Sequence, residues 1–168
     1  MKSLYIVRHA KSSWSNPDLI DLDRPIMETG KKGLNSVIAF LLEEAVAPDL
    51  IISSHAVRAA ETANIIAHSL QVEKENVFQD KSLYFGDVNS VRRLFYDLPS
   101  NASSLMVVGH NPTMTTFANI FLDEMLEWLP TSAVVALGFD TSNWLNVLNT
   151  KPEILFYIYP SLLKKKKE

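Results

Sequence analysis

The chain has no cysteine at all, five glycines, no long apolar run and no excess of positive charge. The missing thiol removes disulfides, thiolate metal sites and every mechanism built on a cysteine nucleophile. Scarce glycine leaves no room for a glycine-rich phosphate loop, and the GxxxxGK pattern of nucleotide-binding loops does not occur. The first apolar run, Leu4 to Val7, is four residues long before Arg8 interrupts it, too short for a signal-peptide core or a membrane span. Residence in the cytoplasm without membrane attachment is the expectation. A net charge of −3 gives no general attraction to nucleic acid, although a local basic pocket remains compatible with it.

What is present is the composition of one globular domain. The 168 residues are 47% hydrophobic and 21% charged, with no internal repeat and no linker. The expected organisation is a domain over 1–162 followed by a solvated basic tail, 163–168, that contains Lys164 to Lys167. Nothing in the sequence sets an oligomeric state.

Five short runs rich in β-branched residues read as strands: LYIV (4–7), LIIS (50–53), SLMVVG (104–109), AVVALGF (133–139) and ILFYIY (154–159). Between them, Leu34, Val37, Ile38, Leu41, Leu42 and Ala45 recur at helical spacing, as do Ala59, Ala63, Ile66, Ala67 and Leu70. Further helices are expected over about Asp87 to Leu98 and about Pro112 to Leu122, with Pro112 in a first turn where its missing N–H costs nothing. Strands alternating with helices imply an α/β fold: a single, mostly parallel central sheet with helices on both faces. Gly30 and Gly33 are read as opening the first helix, and His68, inside an amphipathic helix, as structural.

In open α/β sheets, ligands bind beyond the carboxyl ends of the strands. Arg8 and His9 follow the first run. Ser53, Ser54 and His55 end the second, with Arg58 just beyond, and Gly109, His110 and Asn111 end the third. Arg24, in the loop DLDRP, is a further cation that can join them. Alone, a histidine at a strand end is usually structural; the coincidence is what points to chemistry. Arginine carries a permanent charge on a planar fork that matches phosphate oxygens, and a histidine among arginines is biased towards its neutral, nucleophilic form. His9 can therefore accept a phosphoryl group and split one displacement into two. The four histidines, His9, His55, His68 and His110, form no HExxH or comparable zinc pattern, and no carboxylate cluster indicates magnesium, so neither a metal nor another cofactor is expected.

These same residues resemble a known family. VRHAKSSW is similar to the RHG signature of the histidine phosphatase superfamily, with Ala10 in place of the usual glycine; DRPIMETGKKG (23–33) resembles its RPLTxxG element, SSHAVRAAETA (53–63) its SPxxRAxQTA element, and VVGHNP (107–112) its second histidine motif. The short length and the DRP element narrow the resemblance to the SixA-like group, associated with phosphohistidine. The resemblance implies a phosphoglycerate mutase-like fold, His9 as phosphoryl acceptor, and Arg8, Arg58 and His110 as the phosphate pocket. It adds Arg24 to that pocket and places Ser12 and Asn111 at its rim. His55 stands where the family often has proline, and Ile26-Met27 where Leu-Thr is common.

The glutamate that one branch carries after the second helix is missing from SLYFGD (82–87), and the acid that the other places after its second histidine is here Asn111. Asp87 and Glu28 are the remaining carboxyls considered as proton donors. The implied partner is a phosphorylated protein or a small phosphorylated molecule. Three readings follow: a phosphatase acting on protein phosphohistidine, a phosphomonoesterase on small esters, or a non-catalytic phosphate-binding regulatory domain.

Overall fold

The computed structural model describes residues 1–168. Six strands form one sheet: β1 (Lys2–Arg8), β2 (Leu50–Ser53), β3 (Val77–Gln79), β4 (Ser104–Gly109), β5 (Val134–Phe139) and β6 (Glu153–Ile158), in the order β3-β2-β4-β1-β5-β6. The four strands from β3 to β1 are mutually parallel, β5 runs antiparallel to β1, and β6, antiparallel to β5, points the same way as β1. Strand β3 has no counterpart in the sequence reading, because three residues are too few to show a period.

Alternation along each strand divides the interior into two cores of 21 buried residues each. Leu4, Ile6, Leu105, Val107, Val135 and Leu137 face one side. There they meet helices α4 (Val88–Leu94) and α5 (Thr113–Asn119) and the 3-10 turn of Trp144. Tyr5, Val7, Met106, Val108, Val134 and Ala136 face the other side, against α1 (Glu28–Glu43) and α2 (Val57–Ser69). Each wholly buried aliphatic side chain contributes about 1.5–3 kcal/mol, so both helical layers are held mainly by this burial.

Two expected helices are shorter than read. The segment expected from Asp87 is helical only over Val88–Leu94, with Asp87 outside it as the cap, its carboxylate accepting from Asn89 N–H at 2.9 Å. The segment expected from Pro112 begins at Thr113 and ends at Asn119. A single-turn helix, α3 (Ser82–Phe85), precedes α4. The basic C-terminus is also more ordered than its composition implies. Pro160–Lys166 form α6, anchored by Leu163, which is buried against the α1 side of the core. Pro160 at its first turn and one apolar anchor are enough to dock a segment whose lysines stay in solvent.

The sheet order fixes where a site can form. From β1 the chain moves through α1 to β2 on one side, and from β4 through α5 to β5 on the other, so connections diverge between β1 and β4. A crevice opens at such a divergence. Arg8 pairs with Gly109 in the β1–β4 register, and His9 N–H extends the ladder to the Gly109 carbonyl at 3.0 Å. The residues that follow, His9 and His110, are thereby neighbours.

The loop after β1 is closed at its base by a bridge between Ser12 and Ile26 and by the Met27 N–H to Lys11 carbonyl bond. Helix α1 presses against it at Gly30, where a Cβ would collide with the Lys11 carbonyl. Gly30→Ala should destabilise the protein by up to about 2 kcal/mol: a backbone clash of roughly 1–3 kcal/mol is offset only in part by a gain in helix propensity of about 1 kcal/mol. The urea midpoint reads this out, and an unchanged or raised midpoint would show that the loop yields freely.

Candidate active site

His9 leaves the end of β1 as a residue only 7% exposed, with its Nδ1 2.7 Å from the Ala10 carbonyl. A carbonyl oxygen only accepts, so Nδ1 carries the proton and Nε2 is left with a bare lone pair. Ala10, fully buried, donates its own N–H to Thr62 Oγ1 on α2, and Thr62 in turn donates to the Arg58 carbonyl. The loop that carries the nucleophile is therefore tied directly to the helix turn that carries Arg58.

The His110 ring lies 5.1 Å from that of His9, centroid to centroid. Its Nε2 is 2.8 Å from Ser54 Oγ, which already accepts from the Ala56 N–H. The arrangement that uses the hydroxyl proton has Ser54 donating to Nε2, which puts the His110 proton on Nδ1. That atom is buried without a protein partner, so it is a donor free for an anion. Ser54 reaches His110 because Ser53 pairs with Val108 in the β2–β4 register.

Three arginines complete the cluster. Arg8 donates Nη1–H to the Leu129 carbonyl at 3.0 Å, lies under the Trp128 ring and keeps a buried Nε–H without a partner. Arg58, in the first turn of α2, and Arg24, in the excursion between Ser12 and Ile26, are each only 7% exposed. Both meet the same carboxylate: Asp21 Oδ2 lies 3.0 Å from Arg58 Nη2 and Oδ1 2.9 Å from Arg24 Nη1. Arg24 also donates to the Ser13 carbonyl and to Ser12 Oγ, while its guanidinium stacks on Trp14. Tyr84, on α3, donates its hydroxyl to Asp21 Oδ2 at 2.7 Å and sets its ring edge-on to His110.

The structure thus brings together His9, His110, Arg8 and Arg58, and joins Arg24 to Arg58 through the shared Asp21 carboxylate, with Ser12 beside Arg24. Asn111 does something other than line the rim. Its side chain donates to the Leu129 carbonyl and accepts from Thr115, so it steadies the same carbonyl that orients Arg8. Of the two carboxyls considered as acids, Asp87 is engaged as the cap of α4 and Glu28 pairs with Lys31 at the outset of α1. Asp21, Tyr84 and Trp128 were missed as site residues. Asp21 lies three residues before Arg24, but nothing in the sequence ties it to Arg58 or Tyr84, and no periodicity or motif marks Tyr84 or Trp128. His68 is exposed near the end of α2, away from the cluster.

The electrostatics favour neutral imidazoles. Burial pushes His9 down to about 3, aided by His110, Arg58 and Arg8, and opposed by the bond to Ala10. His110 falls to about 4, chiefly through burial and then through Arg58. Desolvation, more than the adjacent cation, is therefore what keeps His9 unprotonated. For Asp21, partial desolvation acts upward, but hydrogen bonds from Tyr84, Arg24 and Arg58 outweigh it and hold the carboxyl at about 2. No three His, Asp or Glu side chains are grouped as a metal would require.

A family model described as the histidine phosphatase superfamily, branch 1, matches residues 4–87, half of the chain. The chain belongs to the histidine phosphatase superfamily. The matched half carries Arg8, His9, Arg24 and Arg58, and the fold is the phosphoglycerate mutase-like one. A protein of Agrobacterium tumefaciens assigned as phosphohistidine phosphatase SixA superposes with a TM-score of 0.80 at 24% identity, over 95% of this chain and 98% of that one. The protein histidine phosphatase SixA complexed with tungstate gives 0.76 at 19% identity, over 96% and 99%. An uncharacterized chloroplastic protein of Arabidopsis thaliana is 25% identical over 154 residues, which cover 84% of this chain and 68% of the relative. Membership of this superfamily supports phosphatase activity. None of the helices is long and apolar enough to cross a membrane.

The proton assignments are open to measurement. In the free protein, the ring resonances of His9 and His110 should stay at their neutral positions from pH 8 down to pH 5, titrating only near about 3 and about 4. Because both values lie below the ordinary one, lowering the pH through 6.5 should leave the rings uncharged. A midpoint near 6.5 for either ring, read by NMR, would contradict the assignment.

Proposed function

We propose that this superfamily member is a metal-independent phosphatase that removes the phosphoryl group from protein phosphohistidine through a phosphohistidine on its own His9. The observation that carries the reading is a bare, uncharged Nε2 with Arg58 and Arg8 as its charged neighbours, and with the nearest carboxylate, Asp21, ionised and paired to arginines. In the first step the Nε2 lone pair forms a bond to phosphorus as the substrate's P–N bond breaks. The leaving imidazole departs neutral when its other ring nitrogen is protonated. In the second step water attacks phosphorus, the bond to Nε2 breaks, the water proton passes to solvent or product, and His9 is restored with Nδ1–H still on Ala10. Throughout, Arg8, Arg24, Arg58 and the Nδ1–H of His110 supply N–H donors to the phosphoryl oxygens.

The missing acid decides between leaving groups. A positioned proton donor contributes roughly 10²–10⁴ in rate, and an alkoxide needs it while a labile P–N bond does not. Asp21 cannot act as one, since its carboxyl stays ionised down to about 2. The surroundings favour a macromolecular substrate. Trp14 is 74% exposed, Trp128 54% and Phe85 76%; the two tryptophans come from separate loops and Phe85 from the end of α3, and they touch Arg24, Arg8 and Tyr84 respectively. A charged centre ringed by exposed aromatics has the anatomy of a protein-binding surface.

The expected kinetics follow directly. A phosphohistidine peptide should exceed a simple alkyl phosphate in kcat/KM by at least about 10²-fold, the lower bound on what a missing acid costs the ester. His9→Ala should abolish both activities, and a chelator should alter neither. Asp87→Ala should cost about 1 kcal/mol of stability through the lost cap of α4, with phosphohistidine turnover unchanged. An alkyl ester that is the better substrate, or an Asp87→Ala enzyme crippled in turnover at a temperature where it stays folded, would overturn the assignment in favour of a general phosphomonoesterase.

A further inference from the structure

One charged group of the site takes no part in the steps above. Asp21 is the hub of the pocket's wall: it holds Arg24, Arg58 and Tyr84 with its two carboxylate oxygens, and its backbone carbonyl accepts from Arg58 Nη1 at 2.7 Å. The three side chains come from a loop, from α2 and from α3, so no other single residue fixes their mutual geometry.

We propose that Asp21 is a positioning residue that gives up affinity for the resting phosphate anion in order to hold Arg24 and Arg58 where the reacting phosphoryl group needs them. The inference rests on the phosphatase reading above. A guanidinium has five N–H donors. Arg24 commits three of them within the protein and Arg58 two, which leaves each with donors to spare on a group that can no longer swing. The charge is also set. Arg8, Arg24 and Arg58 against one Asp21 carboxylate, with both histidines neutral, leave two net positive charges facing a phosphoryl group of about −1.5 to −2. Without Asp21 the pocket would carry three, attract product phosphate more strongly and hold its arginines less firmly. Interactions that are equally strong with the ground state and the transition state add nothing to kcat.

The test is Asp21→Asn, which keeps the shape and one acceptor oxygen while removing the charge. Inorganic phosphate binding is measured by calorimetry, and kcat and KM on a phosphohistidine peptide. Asp23→Asn serves as control, because Asp23 lies in the same exposed turn and pairs with neither arginine. The expected result is a kcat at least tenfold lower with phosphate bound as tightly as in the wild type or more tightly, while the control matches the wild type. A smaller loss of kcat, or weaker phosphate binding, overturns the proposal. Retained phosphate binding shows that the pocket is folded, which a purely structural defect would not preserve. Failure of the underlying reading is distinguishable, since it would appear as a wild-type protein that turns over no phosphohistidine at all.

Discussion

The hydrogen bond from His9 Nδ1 to the Ala10 carbonyl is the contact on which the site's chemistry depends. It is a bond between neighbouring residues, costs no long-range order of its own, and leaves only one tautomer available to a neutral ring. Everything around it serves that state. Burial removes the water that would stabilise a charged imidazole, and Ala10, packed to zero exposure, is held by Thr62 so that its carbonyl stays in place. The single methyl that Ala10 adds to the family's usual glycine is accommodated in that packing.

Around the uncharged ring the protein assembles permanent charge by short polar links. Arg8 is oriented by the Leu129 carbonyl, which Asn111 also grips, and Arg24 and Arg58 are oriented by Asp21. Tryptophans then cover the outer faces of Arg8 and Arg24. Such stacking limits the water around a guanidinium without neutralising it, and a partly dehydrated cation attracts an anion more strongly than a fully hydrated one. The pocket therefore gains field strength from side chains that carry no charge.

Five of the six strands, the two long helices and the strand-end positions of the histidines were legible because they depend on local pattern. A β-branched run such as LIIS or a 3.6-residue period such as Leu34 to Leu41 declares itself, and the rule that ligands lie beyond strand ends does the rest. The reversed direction of β5 was not legible, since it arises from how the chain segment 120–133 returns to the carboxyl edge, where Ser132 N–H bonds to the carbonyls of Arg8 and His9. Nor was Asp21 as a hub. Its partners Arg58 and Tyr84 are 37 and 63 residues away, and such pairings are set by tertiary geometry alone. Asn111 shows the converse: a residue beside the second histidine looks like a site residue by position, yet its amide is spent on the loop at Leu129.

The insertion of β4 between β1 and β2 has a kinetic consequence. Neither β1 nor β2 touches the other, and the Arg8–Gly109 pairing closes a loop of about 100 residues. Pairings that span so much chain form late, because the entropy of loop closure must be met before they contribute. During synthesis the segment 4–87, which bears the family signature, emerges with β1 lacking both of its neighbours, β4 and β5. His9 and its arginines thus exist as sequence well before they exist as a site. The facing edges of β1 and β2 stay open to mispairing until residue 109 has been made, and the other edge of β1 until residue 139.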